Sequence, residues 1–389
     1  MWYFGAPQIV FGEGALSHLE TIQGRRVMIV TDANLLRLGI LDRVRQALAP
    51  GGMQVEIFSQ VEPDPSLETV LLGAQAMLAF APDWIVALGG GSVMDAAKAM
   101  WVLYERPDLL PEAINPIEYL GLRQKARLIA IPTTSGTGSE ATWAIVLTDT
   151  QERRKLGLGS RENLPDFAIL DPELVMQLPP RLTADTGLDA LVHAIEGFTT
   201  TFANDFSDGL CIRAAQLILE YLPRAYRDGQ DVDARTHLQN AATIAGMGFG
   251  NSMAGLAHGL GHALGAIFHV PHGRAVALFL PYSIEYCLRG EIGSTRYVPL
   301  ARSLGLPAED EIQAGISIAQ AFRDLAQAVD QPLTLQACNI TAGQLEAELD
   351  GLVDNALNDS QTVMSTRVPD SDDLRRLLRA ALTGAAIDF

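Results

Sequence analysis

The sequence predicts a doubly wound α/β domain at the N-terminus and an all-α domain at the C-terminus. Short apolar, β-rich runs alternate with helical runs from residue 1 to about 180. Glycine-rich turns close two of those strands. Beyond Leu178-Pro179-Pro180 the strand pattern nearly stops and long Ala- and Leu-rich helical stretches take over. Strand-helix alternation argues for a parallel sheet with helices on both faces. The boundary falls at about 180, giving domains over 1–180 and 181–389.

The elements follow in order. Gln8–Phe11 reads as a first strand, ended by Gly12 and Gly14. Arg26–Thr31 is a continuous apolar run, as expected inside a parallel sheet. A helix over Leu35–Ala49 follows and Pro50-Gly51-Gly52 closes it. Gln54–Phe58 is the next strand. A helix over Ser66–Phe80 begins after Pro63 and Pro65, with Ser66 as its N-cap. Trp84–Leu88 is a buried strand that runs through Gly89-Gly90-Gly91-Ser92 into a helix over Val93–Tyr104. Arg127–Ile131 is another strand, followed by the loop Pro132–Glu140. In the second half the helical runs are Asp189–Gly197, Ser207–Tyr221, Asp233–Phe249 and Leu256–Ile267, with several more to Phe389. The first domain is therefore Rossmann-like in plan, although the G-x-G-x-x-G fingerprint is absent.

Composition limits the possible functions. A chain of 389 residues holds two or three domains by the usual size prior, and a core low in aromatics is aliphatic. The net charge of −18 argues against nucleic acid or anionic membrane as a partner, because both need a basic face. Cys211, Cys287 and Cys338 are widely spaced, which suggests reduced thiols in a cytoplasmic protein; Cys211 and Cys287 read as packing residues. The N-terminal residues carry no signal-type pattern. No apolar run is long enough to span a bilayer.

Two loops carry nucleotide-type chemistry. After Trp84–Leu88 the glycines let backbone approach a pyrophosphate, and the following helix supplies N–H groups and positive dipole. A plain tight turn is the competing reading. Asp95 falls in the first turn of that helix, and Lys98 reads as no more than an exposed charge. The second loop offers Thr133, Thr134, Ser135, Thr137 and Ser139 between glycines; a polar surface loop is the alternative. Both loops follow strands of one sheet, and ligands lie beyond the carboxyl ends of parallel strands. Asp32, directly after Arg26–Thr31, can bond a ribose diol and repel a 2′-phosphate, or simply cap a helix.

The stretch 246–273 holds four of the seven histidines: His258, His262, His269 and His272. His258 and His262 are one turn apart on a buried helix, so both rings share a face. Pro271 ends the run and His272-Gly273 follow in a turn. Asp189 and His193 form a second one-turn pair on another apolar helix. Burying these groups with no shared task would cost several unpaired polar groups, so a divalent metal site is the better account. His237 and His18 read as solvated surface residues. The acidic tail from 305 onward carries no legible motif.

At these residues the chain resembles the iron-containing (group III) alcohol dehydrogenase family, in the superfamily that also holds glycerol dehydrogenase and dehydroquinate synthase. The resemblance runs effectively full length. It begins at Pro7-x-Ile9-x-Phe11-Gly12-x-Gly14 and includes Gly89-Gly90-Gly91-Ser92-x-x-Asp95-x-x-Lys98 and Pro132-Thr133-Thr134-x-Gly136-Thr137-x-x-Glu140. It continues through Asp189-Ala190-x-x-His193-Ala194-x-Glu196 to His258-Gly259-x-x-His262 and Pro271-His272-Gly273. The resemblance implies a dehydroquinate synthase-like architecture with a dinucleotide on the first domain and metal and substrate on the second, the active site lying between them. It implies that Asp189, His193, His258 and His272 bind one divalent metal, Fe(II) first and Zn(II) next. His262 matches a histidine near the reacting centre that is not a ligand. Asp32 matches an acidic position linked to NAD over NADP. Gly90, Gly91, Ser92 and Asp95 match the pyrophosphate turn, Thr133, Thr134 and Thr137 match nucleotide contacts, and Lys155 matches a lysine near the cofactor. Asp64 stands where relatives often carry Asn. His269 departs from some relatives and is given a supporting or merely structural role.

The expected function is a metal-dependent, NAD-linked alcohol dehydrogenase that interconverts a small alcohol and its aldehyde or ketone, with the alkoxide on the metal. The expected assembly is a homodimer or larger homo-oligomer. Candidate pocket residues are Phe4, Thr142, Phe198, Phe249 and Phe268. Rival expectations are a hydroxyacid-oxoacid transhydrogenase with tightly held NAD, a dehydroquinate-synthase-like lyase, and non-enzymatic metal storage or interaction. A phosphorylated polyhydroxy substrate would want several Lys or Arg nearby; the helices of the metal set are poor in both.

Overall fold

The computed structural model of the protein describes residues 3–290 and 295–389. By contacts the chain forms two units, Gly5–Gln177 and Leu178–Phe389, the latter joined by the N-terminal residues up to Phe4.

The first unit contains strands β1 (Gln8–Phe11), β2 (Arg26–Val30), β3 (Gln54–Phe58), β4 (Trp84–Gly89), β5 (Arg127–Pro132), β6 (Ala144–Asp149), β7 (Arg154–Gly159) and β8 (Phe167–Leu170), and helices α1 (Ala33–Arg37), α2 (Ile40–Leu48), α3 (Leu67–Phe80) and α4 (Gly91–Glu105). Six strands form one parallel sheet in the order β1-β8-β5-β4-β2-β3. β6 and β7 form a separate antiparallel hairpin. The period of two along each strand divides the sheet residues between two cores. Met28, Val30, Ile85, Ala87, Leu128 and Ala130 pack into one core with α3 and α4. Val27, Ile29, Val86, Leu88, Ile129 and Ile131 pack into the other with α2. Burial on both faces is why β4, and β2 and β5 after their opening arginines, are apolar throughout.

The chain goes from β2 outward to β3, then returns to place β4 on the other side of β2. This reversal makes the carboxyl ends of β2 and β4 a topological switch point, where such sheets bind ligands. Asp32 follows β2, and Gly89-Gly90-Gly91 carry the chain from the end of β4 into α4, so both flank it.

The predicted single helix over Leu35–Ala49 is two helices. Leu38 ends α1, and Gly39 takes a left-handed φ of 73° before α2 starts. Glycine adopts that φ at no steric cost, so it turns the chain where a helical pattern alone shows no break. Ser66 caps α3 as expected, its hydroxyl accepting from Thr69 N at 3.2 Å.

The second unit contains α5 (Pro180–Thr199), α6 (Asp205–Arg227), α7 (Val232–Phe249), α8 (Leu256–Phe268), α9 (His272–Cys287), α10 (Tyr297–Ser303), α11 (Glu311–Ala328), α12 (Ala342–Leu357) and α13 (Ser371–Thr383), with no strand among its described residues. Every residue of α8 from Leu256 to Ile267 is buried. A helix apolar all round is a central one, and α8 packs against α9 and α12, while α5 packs against α6, α7 and α9. Small residues allow the close approaches. Cys211 is fully buried, and a Cβ on Gly197 or Gly248 would sit 3.0 or 2.6 Å from its sulfur. Cys211 is thus the packing residue the sequence suggested. His272-Gly273 do not form the expected turn. Pro271 is the N-cap of α9 and His272 its first residue; proline's fixed φ suits it to starting a helix as well as ending one. Among the described residues no helix is long and apolar enough to cross a membrane.

Candidate metal centre and nucleotide loops

Helix spacing builds the metal centre within the second unit. Asp189 and His193 lie one turn apart on α5, His258 lies in the first turn of α8, and His272 opens α9. One ligand atom from each of the four lies within 4.8 Å of all the others. From Asp189 Oδ1 the distances are 3.8 Å to His193 Nδ1, 3.9 Å to His258 Nε2 and 3.5 Å to His272 Nε2. Ligands each about 2.1 Å from a shared ion stand roughly 3–4 Å apart, so the set fits one cation. His193 Nδ1 and His258 Nε2 are buried and make no hydrogen bond. Leaving two buried imidazole nitrogens without partners is costly unless an ion completes them. The side chain of His272 is 25% exposed while that of Asp189 is 1% exposed, so the centre opens on the His272 side.

Neighbouring side chains orient the His258 and His193 rings. Glu196, also on α5, accepts from His258 Nδ1 at 2.6 Å through Oε2. Glu196 also accepts from the first amides of α8, Gly255 N at 2.9 Å and Ala257 N at 2.7 Å. It therefore caps a helix whose own N-cap is a glycine, and holds the His258 proton on Nδ1, leaving Nε2 for a metal. His193 lies flat on Phe249, ring centroids 3.9 Å apart at 10°. Burial, with nearby His258 adding to it, pushes His193 well below the usual imidazole range, so it is a neutral ligand. Burial also opposes a charge on His258, but the Glu196 hydrogen bond and charge outweigh it and raise this group. Acid therefore competes with a cation at His258.

His262 stands beside the set and outside it. Its ring centroid is 6.0 Å from that of His258 and 5.3 Å from that of His272. Its Nδ1 pairs with Asp359 Oδ2 at 2.7 Å. Burial raises Asp359, but the charge and hydrogen bond of His262 bring it below the usual carboxylate range. His269 closes α8 in a left-handed conformation, φ 55°, and is exposed. Of the proposed pocket residues only Phe249 touches a metal-set ring. Phe198 is buried under the Arg296 guanidinium, Phe268 packs on the helical core, Phe4 lies against Phe206 and Thr142 belongs to the first unit.

The nucleotide-type residues gather in the first unit at the ends of β4 and β5. A Cβ on Gly90 would meet the Thr134 side chain at 3.3 Å, and one on Gly91 would meet Thr137 at 2.7 Å. Only glycine lets the two loops close on each other. Thr133 N donates to Gly89 O at 3.0 Å. Ser92 Oγ accepts from Asp64 N at 3.3 Å, and Asp64 pairs with Lys155 at 2.6 Å. Asp32 caps α1 through Oδ1, accepting from Asn34 N at 2.7 Å and Leu35 N at 3.2 Å.

Three expectations are corrected. Lys98 is not an exposed charge; it is fully buried and bonded to Ser139, Thr142 and Ala144. Asp95 lies past the first turn, because α4 begins at Gly91, and it bonds Ser139 and Val146 N. His237 is only partly solvated: it stacks on Tyr221 and pairs with Asp233, while its neighbours Arg235 and Gln239 are buried. For Lys98 and Asp95 the hydrogen-bond partners come from the segment after β5, and for His237 the stacking Tyr221 comes from α6, whereas Asp233 lies one turn away on its own helix.

The sequence reading gave no role to Glu196 or Asp359. Glu196 lies seven residues after Asp189, on the same helix face, and that spacing could have pointed to it. Asp359 comes from the tail, 97 residues beyond His262, and only the fold brings it in.

An Asp/His₃ cluster between the helices of one unit and a doubly wound parallel sheet in the other fit a metal-dependent oxidoreductase. The family model described as iron-containing alcohol dehydrogenase matches residues 6–172, and its C-terminal counterpart matches residues 183–382. The chain belongs to the iron-containing alcohol dehydrogenase family. It is 36% identical over 392 residues to the NADPH-dependent butanol dehydrogenase of Clostridium saccharobutylicum, covering 100% of both chains. It is 36% identical over 373 residues to the 1-propanol dehydrogenase of Salmonella typhimurium, covering 95% of this chain and 97% of the relative. The crystal structure of a 1,3-propanediol oxidoreductase superposes with a TM-score of 0.89 at 29% identity, covering 98% of this chain and 100% of the other. Family membership carries an NAD(P) cofactor and a divalent metal with it.

Proposed function

We propose that the protein interconverts a small, fairly apolar alcohol and its aldehyde or ketone, with NAD as the hydride carrier and Fe(II), or else Zn(II), as the metal. The convergence of Asp189, His193, His258 and His272 supports this reading most. The first domain, 1–180, takes the dinucleotide, and the second, 181–389, takes metal and alcohol. Three imidazoles and a carboxylate without a thiolate suit Fe(II) and leave Zn(II) possible. A cation held by these four residues would supply Lewis acidity toward an alcohol oxygen, and a nicotinamide cofactor would supply the hydride acceptor.

The chain's own residues do the rest. Asp189, His193, His258 and His272 hold the ion, and Glu196 keeps the His258 proton on Nδ1. His262, oriented by Asp359 through Nδ1, moves the hydroxyl proton at Nε2. Gly90, Gly91, Ser92, Thr133, Thr134 and Thr137 receive the pyrophosphate side of the cofactor. Lys155 lies near it, and Asp95 braces the second loop through Ser139 and Val146 N. Asp32 contacts the ribose with the oxygen that does not cap α1 and disfavours a 2′-phosphate. The butanol dehydrogenase relative is named for NADPH, so the cofactor is tested with both forms.

Three free cysteines support a reducing, cytoplasmic setting. Exposed Ile117, Tyr119 and Leu110 give a homodimer or larger assembly apolar surface to bury; light scattering tests this. Metal analysis of protein purified without oxygen, followed by an NAD- and NADP-linked alcohol panel on the same sample, tests the function. His258→Ala should lose metal and turnover together, while His262→Ala keeps metal and loses mainly rate. A His258→Ala protein retaining both would sink the ligand assignment.

A further inference from the structure

The loop after β5 is held by a buried cation. Lys98, on α4, is 0% exposed. Its Nζ donates to Ser139 Oγ at 2.8 Å, Thr142 Oγ1 at 3.3 Å and Ala144 O at 2.9 Å. Three acceptors use all three protons of an ammonium. Asp95, nearly one turn earlier on α4, lies 4.0 Å from Nζ and accepts from Ser139 Oγ at 2.6 Å and Val146 N at 3.0 Å. Ser139 N in turn donates to Thr137 Oγ1 at 3.2 Å, and Thr137 packs on Gly91. One continuous chain of contacts thus runs from Lys98 through Ser139 and Thr137 to the glycine turn. A buried ion pair is a poor source of stability compared with apolar packing of the same volume. Its position, pinning one loop against the turn it faces, is the better account of its presence.

We infer that Lys98 is a positioning residue for the cofactor: with Asp95 it clamps residues 133–144 against α4, so that the threonines and the glycine turn are set before the nucleotide arrives. This rests on the nucleotide reading of the two loops. Preorganisation of this kind lowers the ordering cost of binding, so its removal raises Kd. Burial pulls the Lys98 ammonium down to about 8, with Asp95 and Glu140 working against that fall. Those two carboxylates are the charges that face it, and Lys155 on β7 is the other cation acting on Asp95. The clamp therefore weakens as pH rises through about 8.

The test uses the full chain and titrates NADH by its fluorescence, with metal affinity measured in parallel. Lys98→Met should raise the NADH Kd about tenfold or more and leave metal affinity within twofold. The wild-type Kd should rise between pH 7 and 9 while that of Lys98→Met stays flat, a difference that loss of stability alone would not produce. If Lys98→Met does not fold, the pair Ser139→Ala with Thr142→Val removes the loop's two side-chain acceptors of Lys98, leaving Ala144 O, and should weaken NADH severalfold. A folded variant of either kind with wild-type Kd and wild-type pH dependence overturns the clamp. A wild-type protein that binds neither NADH nor NADPH overturns the nucleotide reading itself.

Discussion

Replacing Gly273 with alanine tests how closely α9 must approach α5. A Cβ built on Gly273 would stand 2.2 Å from Asp185 O, 2.9 Å from Asp185 C and 3.1 Å from Asp189 Cβ. The nearest atoms are backbone, which cannot swing away as a side chain can. Relieving the clash requires the start of α9 to retreat by about 0.8 Å, and overpacking of this kind costs about 1–3 kcal/mol. His272 is the residue just before, and its Nε2 is 3.5 Å from Asp189 Oδ1. Metal sites tolerate errors of roughly 0.2 Å in ligand distance, so the same retreat removes His272 from the set. The expected result is a lower urea midpoint for the metal-free protein and a fall in Zn(II) affinity of about tenfold or more by calorimetric titration. Gly343→Ala is the control. Nothing lies within 4 Å of a Cβ there, and the residue is helical. It should stabilise by about 0.4–1 kcal/mol with metal affinity unchanged. Gly273→Ala with native stability and native metal affinity would refute the argument that this glycine is required by proximity.

Glu196→Gln places an amide NH₂ against either Ala257 N or the pair Gly255 N and His258 Nδ1, so a donor faces a donor whichever way it turns. Metal affinity should fall about 10–100-fold; unchanged affinity in the same titration would remove Glu196 from any role in orienting His258. Asp32→Gly should shift the ratio of kcat/KM values toward NADP while costing only about a few tenths of a kcal/mol in capping relative to stronger caps. An unchanged ratio would leave Asp32 as a helix cap alone. Cys211 and Cys287 should resist a thiol reagent at pH 8 until the protein is denatured, because burial pushes both thiols above their ordinary value of 9.0. The sign for stability follows from the same shift. The unfolded thiols ionise first, so their contribution is full below pH 9 and is lost as pH rises above it. Rapid native labelling of Cys211 or Cys287 would contradict their burial.

Residue order alone went far here. The continuous apolar runs of β2, β4 and β5, the one-turn pairs Asp189/His193 and His258/His262, and the glycines after Trp84–Leu88 are local patterns. Local patterns determine which segments are strands or helices and which side chains share a face. The family motifs then named the four ligand candidates that the fold brings within 4.8 Å. Tertiary structure alone decided everything that depends on which distant segments meet. It seated His272 at the start of α9 against Asp189, and turned Lys98 from a surface charge into a buried bridge. It also brought Asp359 from the tail to His262 and set Glu196 across the first turn of α8. Periodicity records a residue's relation to its own helix or strand. Hydrogen-bond partners and close backbone contacts across the core are set by packing between elements far apart in the chain, and no spacing in the sequence encodes them.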